Sequence, residues 1–464
     1  MTDRPHIGLL GVMQELYDEM IPQITEHQAA YARAVSERLG GQAEVIFTRP
    51  ARNQADIEAV AGELVAAGVD GVMIVMLTYA PAMRSIRALM TLPVPLLLAN
   101  IQPEHSITPE WNMDSLTYNQ GIHGAQDQAN ALVRADVPFS VITGDWRSDR
   151  FAAAFGEWAS AARAVSALRR ARVALLGYPM NGMGDIRYDP EAMLRRLGTT
   201  VVNVDLGAVQ SRLETVSDAA VQALVAEHGQ RFELDPKLPA ERHRYAARFE
   251  IALRAMLQEG DYAGFSFHFD SIGGDGRFRQ LPLLAASNLM ADGYGYAAEG
   301  DTNTAILMCA AQAMVGDAHF SEMYAMDWDL DSVLISHMGE GNWRIARPDR
   351  PVRLIDRPLG IGGLYNPPTP VFSAVPGPAT TAALIPIEGE YYRLLVGSGQ
   401  ILDTPELPHV EMHHFHFRPD VGMEAFMDRW LKFGGPHHFV INLGEQAGRW
   451  RRLAELLELD YREI

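Results

Sequence analysis

Two glutamates and a set of histidines carry the chemistry that this chain could perform. Glu299 lies in GYGYAAEGDTNTA and Glu322 in AHFSEMYAMDWDLD; His337 follows between apolar residues in SVLISHMGEGNW, and His437 and His438 come late, in GGPHHFVIN. Two carboxylates and two imidazoles supply enough oxygen and nitrogen donors for a divalent cation such as Mn2+, Co2+ or Zn2+, with positions left for a chelating substrate. No short motif such as HExxH ties these residues together. Core histidines with satisfied partners and a few helix-capping acids are the competing account of the same residues.

In order and approximate spacing, Glu299 in YGYAAEGDTNTA, Glu322 in FSEMY, His337 in SHMGE and His438 in GGPHHFV resemble the four metal-binding residues of the L-arabinose isomerase family. The resemblance continues through QELY (Gln14 to Tyr17), TYAPAM (Thr78 to Met83), NMDSLTYNQGIHG (Asn112 to Gly124) and LGIGG (Leu359 to Gly363). The family's Trp and Lys after EGD are Thr302 and Asn303 here, and the Asp after the second glutamate is Met323.

The resemblance implies an aldose-ketose isomerase for a small sugar, of the L-arabinose/L-ribulose or D-galactose/D-tagatose type. Glu299 and Glu322 would be both metal ligands and an acid/base pair acting through an enediol, and His337 and His438 would complete the metal site. It further implies that Gln120 and His123 contact sugar hydroxyls and that Met180 and Phe269 face the substrate. Gln14, Leu16 and Tyr17 would serve a neighbouring subunit's site in a trimer-based homo-oligomer, such as a hexamer. The oxygen-plus-imidazole donor set suits Mn2+ best, with Co2+ as a substitute. An isomerase of a different pentose, hexose or shorter sugar, and a sugar-binding homologue without catalysis, are the alternatives.

Composition narrows the partners. At 464 residues the chain exceeds one typical core, so two or three domains are expected. With 48% hydrophobic and 21% charged residues it reads as globular rather than disordered. A net charge of -19 without a basic counter-patch argues against nucleic acid and anionic membrane as partners. The one cysteine, Cys309, sits in the apolar run TAILMCAAQAM, which excludes an internal disulfide and suits a reducing cytoplasm. The passage from MTDRPH into HIGLLGV lacks the basic flank and length of a signal peptide. No apolar run approaches the roughly 20 residues of a membrane span.

The elements that must hold these residues follow from hydrophobic period. Short apolar runs (HIGLLGV, AEVIFTR, DGVMIVML, VPLLLAN) alternate with helical patterns (Ile21 to Leu39, Asp56 to Ala67, Ala82 to Met90). That alternation predicts parallel βαβ units in a doubly wound sheet, with ligands at the loops after the strands. Gln14 to Tyr17 and Thr78 to Pro81 fall on that edge. Gln120 and His123, three apart on a helix, are expected to share a face. Ser148 to Arg170 reads as an amphipathic helix bridging two domains, and a second doubly wound unit begins at ARVALLGYPMNGMGD. Arg212 to Glu250 reads as a charged, solvated helical layer. From Asp317 onward, short β-like runs separated by PDRP, NPPTP and GSGQ predict an antiparallel barrel or sandwich. The expected domains are 1–168, 169–316 and 317–464, two doubly wound α/β domains followed by a β-barrel-like domain that carries metal ligands.

Three motifs invite over-interpretation. The turn in GYPMNGMGD has neither GK[ST] nor GxGxxG and signals phosphate only weakly. In HVEMHHFHFRP, strand alternation sends His414 and His416 to one face and His413 to the other, and the resemblance places no ligand there, so a strand without metal is expected. His268, beside Phe265, Phe267 and Phe269, is also expected to be structural. In PHHFVIN, alternation lets only one of His437 and His438 face the site, and the resemblance selects His438.

Overall fold

The computed structural model describes residues 4–360 and 363–464, so Ile361 and Gly362 of the LGIGG motif lie outside the described residues. The chain divides into two compact units, Met1–Ser166 with Glu455–Glu458, and Ala167–Ala454 with Leu459–Ile464. The division falls within the continuous helix Asp149–Arg170, where a bridging helix was expected.

The first unit is built on β1 (His6–Val12), β2 (Glu44–Ile46), β3 (Gly71–Met76), β4 (Leu96–Asn100) and β5 (Ser140–Thr143), all parallel in the order β2-β1-β3-β4-β5. Both faces are buried, which explains why the strands read as unbroken apolar runs. Ile7, Leu9, Met73 and Val75 face one helical layer through Phe155 and Trp158, while Leu10, Val12, Val72 and Ile74 face the other through Val60 and Leu64. Gly71 admits that first layer: a Cβ there would come within 2.8 Å of the Trp158 ring.

The second unit continues with β6 (Arg172–Leu176), β7 (Thr200–Val204), β8 (Glu233–Leu234), β9 (Gly264–Phe267), β10 (Gly295–Ala298), β11 (His319–Asp327), β12 (Ser332–Ser336), β13 (Arg353–Asp356), β14 (Pro368–Val371), β15 (Gly377–Glu388), β16 (Tyr391–Ile401), β17 (His414–Pro419), β18 (His438–Leu443) and β19 (Asp460–Glu463). A parallel sheet in the order β10-β9-β6-β7 forms its α/β part. The strands β15-β18-β11-β12-β17-β16 run antiparallel and close through the β15–β16 pairing into a barrel, with β19 added outside in parallel to β16. Closure removes the exposed strand edges that an open sheet of this size would present. Its core is aromatic, with Phe415, Phe417, Phe426, Trp430 and Phe439 all buried. The expected fold class is therefore found, and of barrel or sandwich it is the barrel.

One stretch departs from expectation. Helix Ala240–Glu259 is not a solvated layer, since it buries His243, Ala246, Ala247, Phe249, Glu250, Leu253 and Leu257. Its many charged residues hid an inward face that includes the carboxylate of Glu250. Among the described residues no helix is long and apolar enough to cross a membrane.

Candidate metal centre and active site

Barrel register assembles most of the cluster. β11 pairs with β12 on one side and β18 on the other, and the register sets Glu322 opposite Ser336 and opposite His438. Directly opposed residues on antiparallel strands point to the same face with their Cβ atoms about 5 Å apart. His337 follows Ser336 immediately beyond the end of β12. Phe320, two residues before Glu322 on the same face, sets its ring edge-on to both imidazoles, 4.7 Å from His337 and 4.8 Å from His438. It gives the cluster an apolar floor.

Glu299 arrives from the parallel sheet, just past the carboxyl end of β10, where doubly wound sheets place their ligands. Its backbone is left-handed, with φ of 61°, and Gly300 follows at 81°. A non-glycine residue in that region costs about 1 to 2 kcal/mol, and the cost is met by surrounding contacts. Met180 donates its backbone N–H to the Glu299 carbonyl at 2.9 Å. A Cβ on residue 300 would lie 2.5 Å from the Tyr178 carbonyl, so the turn requires glycine. Asp301 then caps the buried helix Thr302–Met314 by accepting from Thr304 N–H at 3.1 Å.

The donor atoms converge. His438 Nε2 lies 3.4 Å from Glu322 Oε1 and 3.8 Å from Glu299 Oε2, and His337 Nε2 lies 3.9 Å from Glu322 Oε1. His437 Nε2 lies 3.5 Å from Glu299 Oε2 and 3.7 Å from Glu322 Oε1. Two triads, Glu322/His337/His438 and Glu299/His437/His438, each bring their donors within 4.8 Å of one another and share His438. Each of the four expected ligands thus falls in one or the other triad, Glu299 and His337 in different ones, and His437 joins them. Alternation does not exclude His437, because it precedes the first residue of β18.

Behind each imidazole stands a carboxylate that the sequence reading missed. Asp301 Oδ2 is 3.0 Å from His438 Nδ1, Glu340 Oε2 is 3.2 Å from His337 Nδ1, and Asp185 Oδ2 is 2.6 Å from His437 Nδ1. Glu340, itself buried, accepts from the buried Tyr296 hydroxyl at 2.5 Å. Carboxylates placed behind imidazoles fix ring orientation and raise basicity, as they do around metal-ligating histidines. The only sequence hints were proximity: Asp301 is two residues after Glu299, and Glu340 is three after His337.

This density of negative charge shifts the imidazoles. Burial opposes a charge on His438, but Asp301 and Glu322 outweigh it and raise its pKa to about 9. Burial likewise works against His437, and its carboxylate neighbours, Asp185 first, push it up to about 10. His337 is raised by Glu340 and Glu322 against a larger burial effect. Glu322 is held down near 2, the imidazoles overcoming its burial. Meanwhile Glu299 Oε2, His438 Nε2 and His437 Nε2 are buried atoms without a hydrogen-bond partner among the described residues. Orphaned buried donors and acceptors are costly. A divalent cation would satisfy them and supply the positive charge the carboxylates draw, so the residues present fit a metal.

The remaining candidates fall in both units. In the second unit, Met180 is tied to Glu299 through the backbone bond given above, and Phe269 opens the short helix Phe269–Asp275 with its ring 5.1 Å from that of His268. His268 bonds Ser271 at 3.2 Å and belongs to neither triad. His413 stacks on Phe372, His414 accepts from Leu407 N–H, and His416 bonds Ser332, so the HHFHF strand takes no part in the cluster. Cys309 is buried, and burial lifts its thiol to about 12. In the first unit, Gln14 is buried, with its backbone N–H donated to Thr78 Oγ1 at 3.3 Å, whereas Leu16 is exposed in the short helix Leu16–Met20 and Tyr17 packs on the core. Gln120 interrupts the helix between Met113–Asn119 and Gly121–Arg134, so it does not share a regular helical face with His123. His123 stacks on Tyr79 with centroids 4.6 Å apart.

Models of three L-arabinose isomerase domains match this chain: the N-terminal domain over 3–170, the central domain over 180–317 and the C-terminal domain over 317–460. An L-arabinose isomerase from a Nocardioides species is 31% identical over 98% of this chain and 93% of its own length. Those of Clavibacter sepedonicus (29% identical, 95% of this chain, 89% of the relative) and Klebsiella pneumoniae (30%, 84% and 80%) are similar too. Among solved structures, a periplasmic solute-binding protein from Actinobacillus succinogenes with bound D-allose is 12% identical, covering 67% of this chain and 92% of its own, at a TM-score of 0.18. Fold, cluster and relatives together define an aldose-ketose isomerase, an intramolecular oxidoreductase of carbohydrate metabolism. The chain belongs to the L-arabinose isomerase family.

Proposed function

We propose that this protein interconverts a small aldose and its ketose, of the L-arabinose/L-ribulose or D-galactose/D-tagatose type, with Glu299 and Glu322 as the acid/base pair. The observation that carries this reading is the approach of both carboxylates to one imidazole, His438, at 3.8 and 3.4 Å. A sugar seated there has a carboxylate available at each of its first two carbons. One carboxylate removes the C2 proton of the aldose while its protonated partner donates to O1, giving the enediol. The first then returns its proton to C1 and the second takes the proton from O2, which leaves the ketose and restores both groups. Positioned acids and bases of this kind contribute typically about 10²- to 10⁴-fold.

Glu299, Glu322, His337 and His438 would hold a divalent cation, Mn2+ by donor type and Co2+ as a substitute. When bound, it supplies Lewis-acid polarisation of the sugar's carbonyl and hydroxyl oxygens. Met180 and Phe269 would line the sugar's path, and Gln120 and His123 would bond its hydroxyls. Gln14, Leu16 and Tyr17 would complete a neighbouring subunit's site in a trimer-based assembly, which a fully active monomer would contradict. We also propose that the second unit comprises a central domain (169–316) and a barrel domain (317–464) after an N-terminal domain (1–168). A lone buried thiol suits a cytoplasmic enzyme.

Thr302, Asn303 and Met323 differ from the family pattern around the two glutamates, so a different pentose, a hexose or a shorter sugar is the alternative substrate. A panel of aldoses and ketoses assayed with Mn2+ tests the proposal. Turnover of at least one pair is expected; tight Mn2+ binding with no turnover of any sugar would point instead to a binding homologue.

A further inference from the structure

We propose that Asp185 is a positioning residue, which holds His437 so that its Nε2 bonds an oxygen of the sugar next to the reacting carbons. This rests on the function proposed above. Asp185 lies in the Gly-rich loop after β6, the segment NGMGD that otherwise has no assigned purpose. One of its oxygens, Oδ2, accepts from both the backbone N–H of His437 at 3.1 Å and the ring Nδ1 at 2.6 Å. Two bonds into one carboxylate oxygen fix the main chain and the ring of His437 together. The ring then lies 4.0 Å from that of His438, centroid to centroid.

With Nδ1 engaged by Asp185, Nε2 is the nitrogen turned toward the cluster, 3.5 Å from Glu299 Oε2 and 3.7 Å from Glu322 Oε1. It is buried and has no hydrogen-bond partner among the described residues. His438 is fully enclosed, whereas the His437 side chain is 34% exposed and the Asp185 side chain 37%, so this pair stands at the open side of the cluster, where a ligand enters. The geometry makes His437 a group for the substrate and Asp185 the residue that aims it.

The test is a double-mutant cycle on the full-length protein. Asp185→Ala is expected to lower kcat/KM roughly 10- to 100-fold, the size of loss seen when the carboxylate behind a metal-site histidine is removed, while Mn2+ content stays at the wild-type level. Asp185→Asn, whose amide oxygen still accepts from Nδ1, should recover much of the loss. In a His437→Gln background, Asp185→Ala should have no further effect, because the two act as one unit. Wild-type kcat/KM in Asp185→Ala, or a loss that adds in full to that of His437→Gln, overturns the proposal. Should the wild-type protein isomerise no sugar, the proposed function fails and the same variants are compared by calorimetric affinity for L-arabitol, which has no carbonyl to isomerise. Affinity weakened by Asp185→Ala alone and no further in the double variant then supports the positioning role, and equal affinities or no binding overturn it.

Discussion

Two clusters in the second unit are made of the same residue types and behave oppositely. At Glu299, Glu322, His337 and His438, each imidazole has a carboxylate at Nδ1 and turns Nε2 toward the glutamates, and buried atoms of the cluster remain without partners. At His228, His243 and Glu250 the network closes on itself. His228 Nδ1 bonds His243 Nε2 at 3.0 Å, and its Nε2 lies 3.3 Å from Glu250 Oε2. Asn288 then bonds Glu250 at 2.6 Å and receives the Trp343 indole N–H at 2.9 Å, and Arg254 takes the other Glu250 oxygen at 3.1 Å. Donor identity is therefore a poor guide to a site. Donors left unspent after the protein's own bonds are counted are a better one, because a fully satisfied polar network has nothing to offer a ligand.

The contrast breaks most decisively at the glutamates. Glu299→Gln and Glu322→Gln, isosteric and local, should each lower turnover by about 10²- to 10⁴-fold with circular dichroism unchanged. Glu250→Gln in the closed network should leave kcat within a few-fold of wild type. Near-normal turnover in either of the first two variants, or collapse of turnover in the folded third, would remove the distinction. A smaller effect is expected one layer out. Glu340→Gln keeps the shape beside His337 but not the charge, and Mn2+ affinity measured by titration should weaken roughly 10- to 100-fold; unchanged affinity would make Glu340 a structural partner only.

How much of this could be read from the chain differs by kind of feature. Sheet types were legible, since buried parallel strands such as DGVMIVML and barrel strands such as YYRLLVGSG keep distinct patterns. The four convergent residues were legible through resemblance rather than spacing. Their convergence depends on a register that sets Glu322 against His438, more than a hundred positions away, and no local pattern encodes such pairing. His437 was misjudged because alternation was applied one residue before the strand begins. Asp185, Asp301 and Glu340 were passed over because a carboxylate behind a histidine is defined by distance in the fold, and in sequence it looks like any surface acid. The inward face of Ala240–Glu259 was missed for the same reason: a buried Glu250 reads as solvated until its partners are known.

The closed cluster makes its own, smallest prediction. Burial, aided by the neighbouring His228 ring, lowers His243 from 6.5 to about 4 in the folded protein. A depressed folded value means the unfolded chain binds the proton more readily, so stability is full above pH 6.5 and declines as pH falls toward 4. The shift corresponds to about 3 kcal/mol over that window. His243→Gln should flatten the fall in thermal midpoint across it without altering Mn2+ affinity at neutral pH. An unchanged pH profile in the variant would mean that His243 does not titrate in this way.

Anomalous diffraction from crystals soaked in Mn2+ decides whether the unspent donors hold a cation. One strong peak is expected within roughly 2 to 2.5 Å of carboxylate oxygens of Glu299 and Glu322 and of nitrogens of His337 and His438. No peak there, or a stronger one between His228, His243 and Glu250, would contradict it.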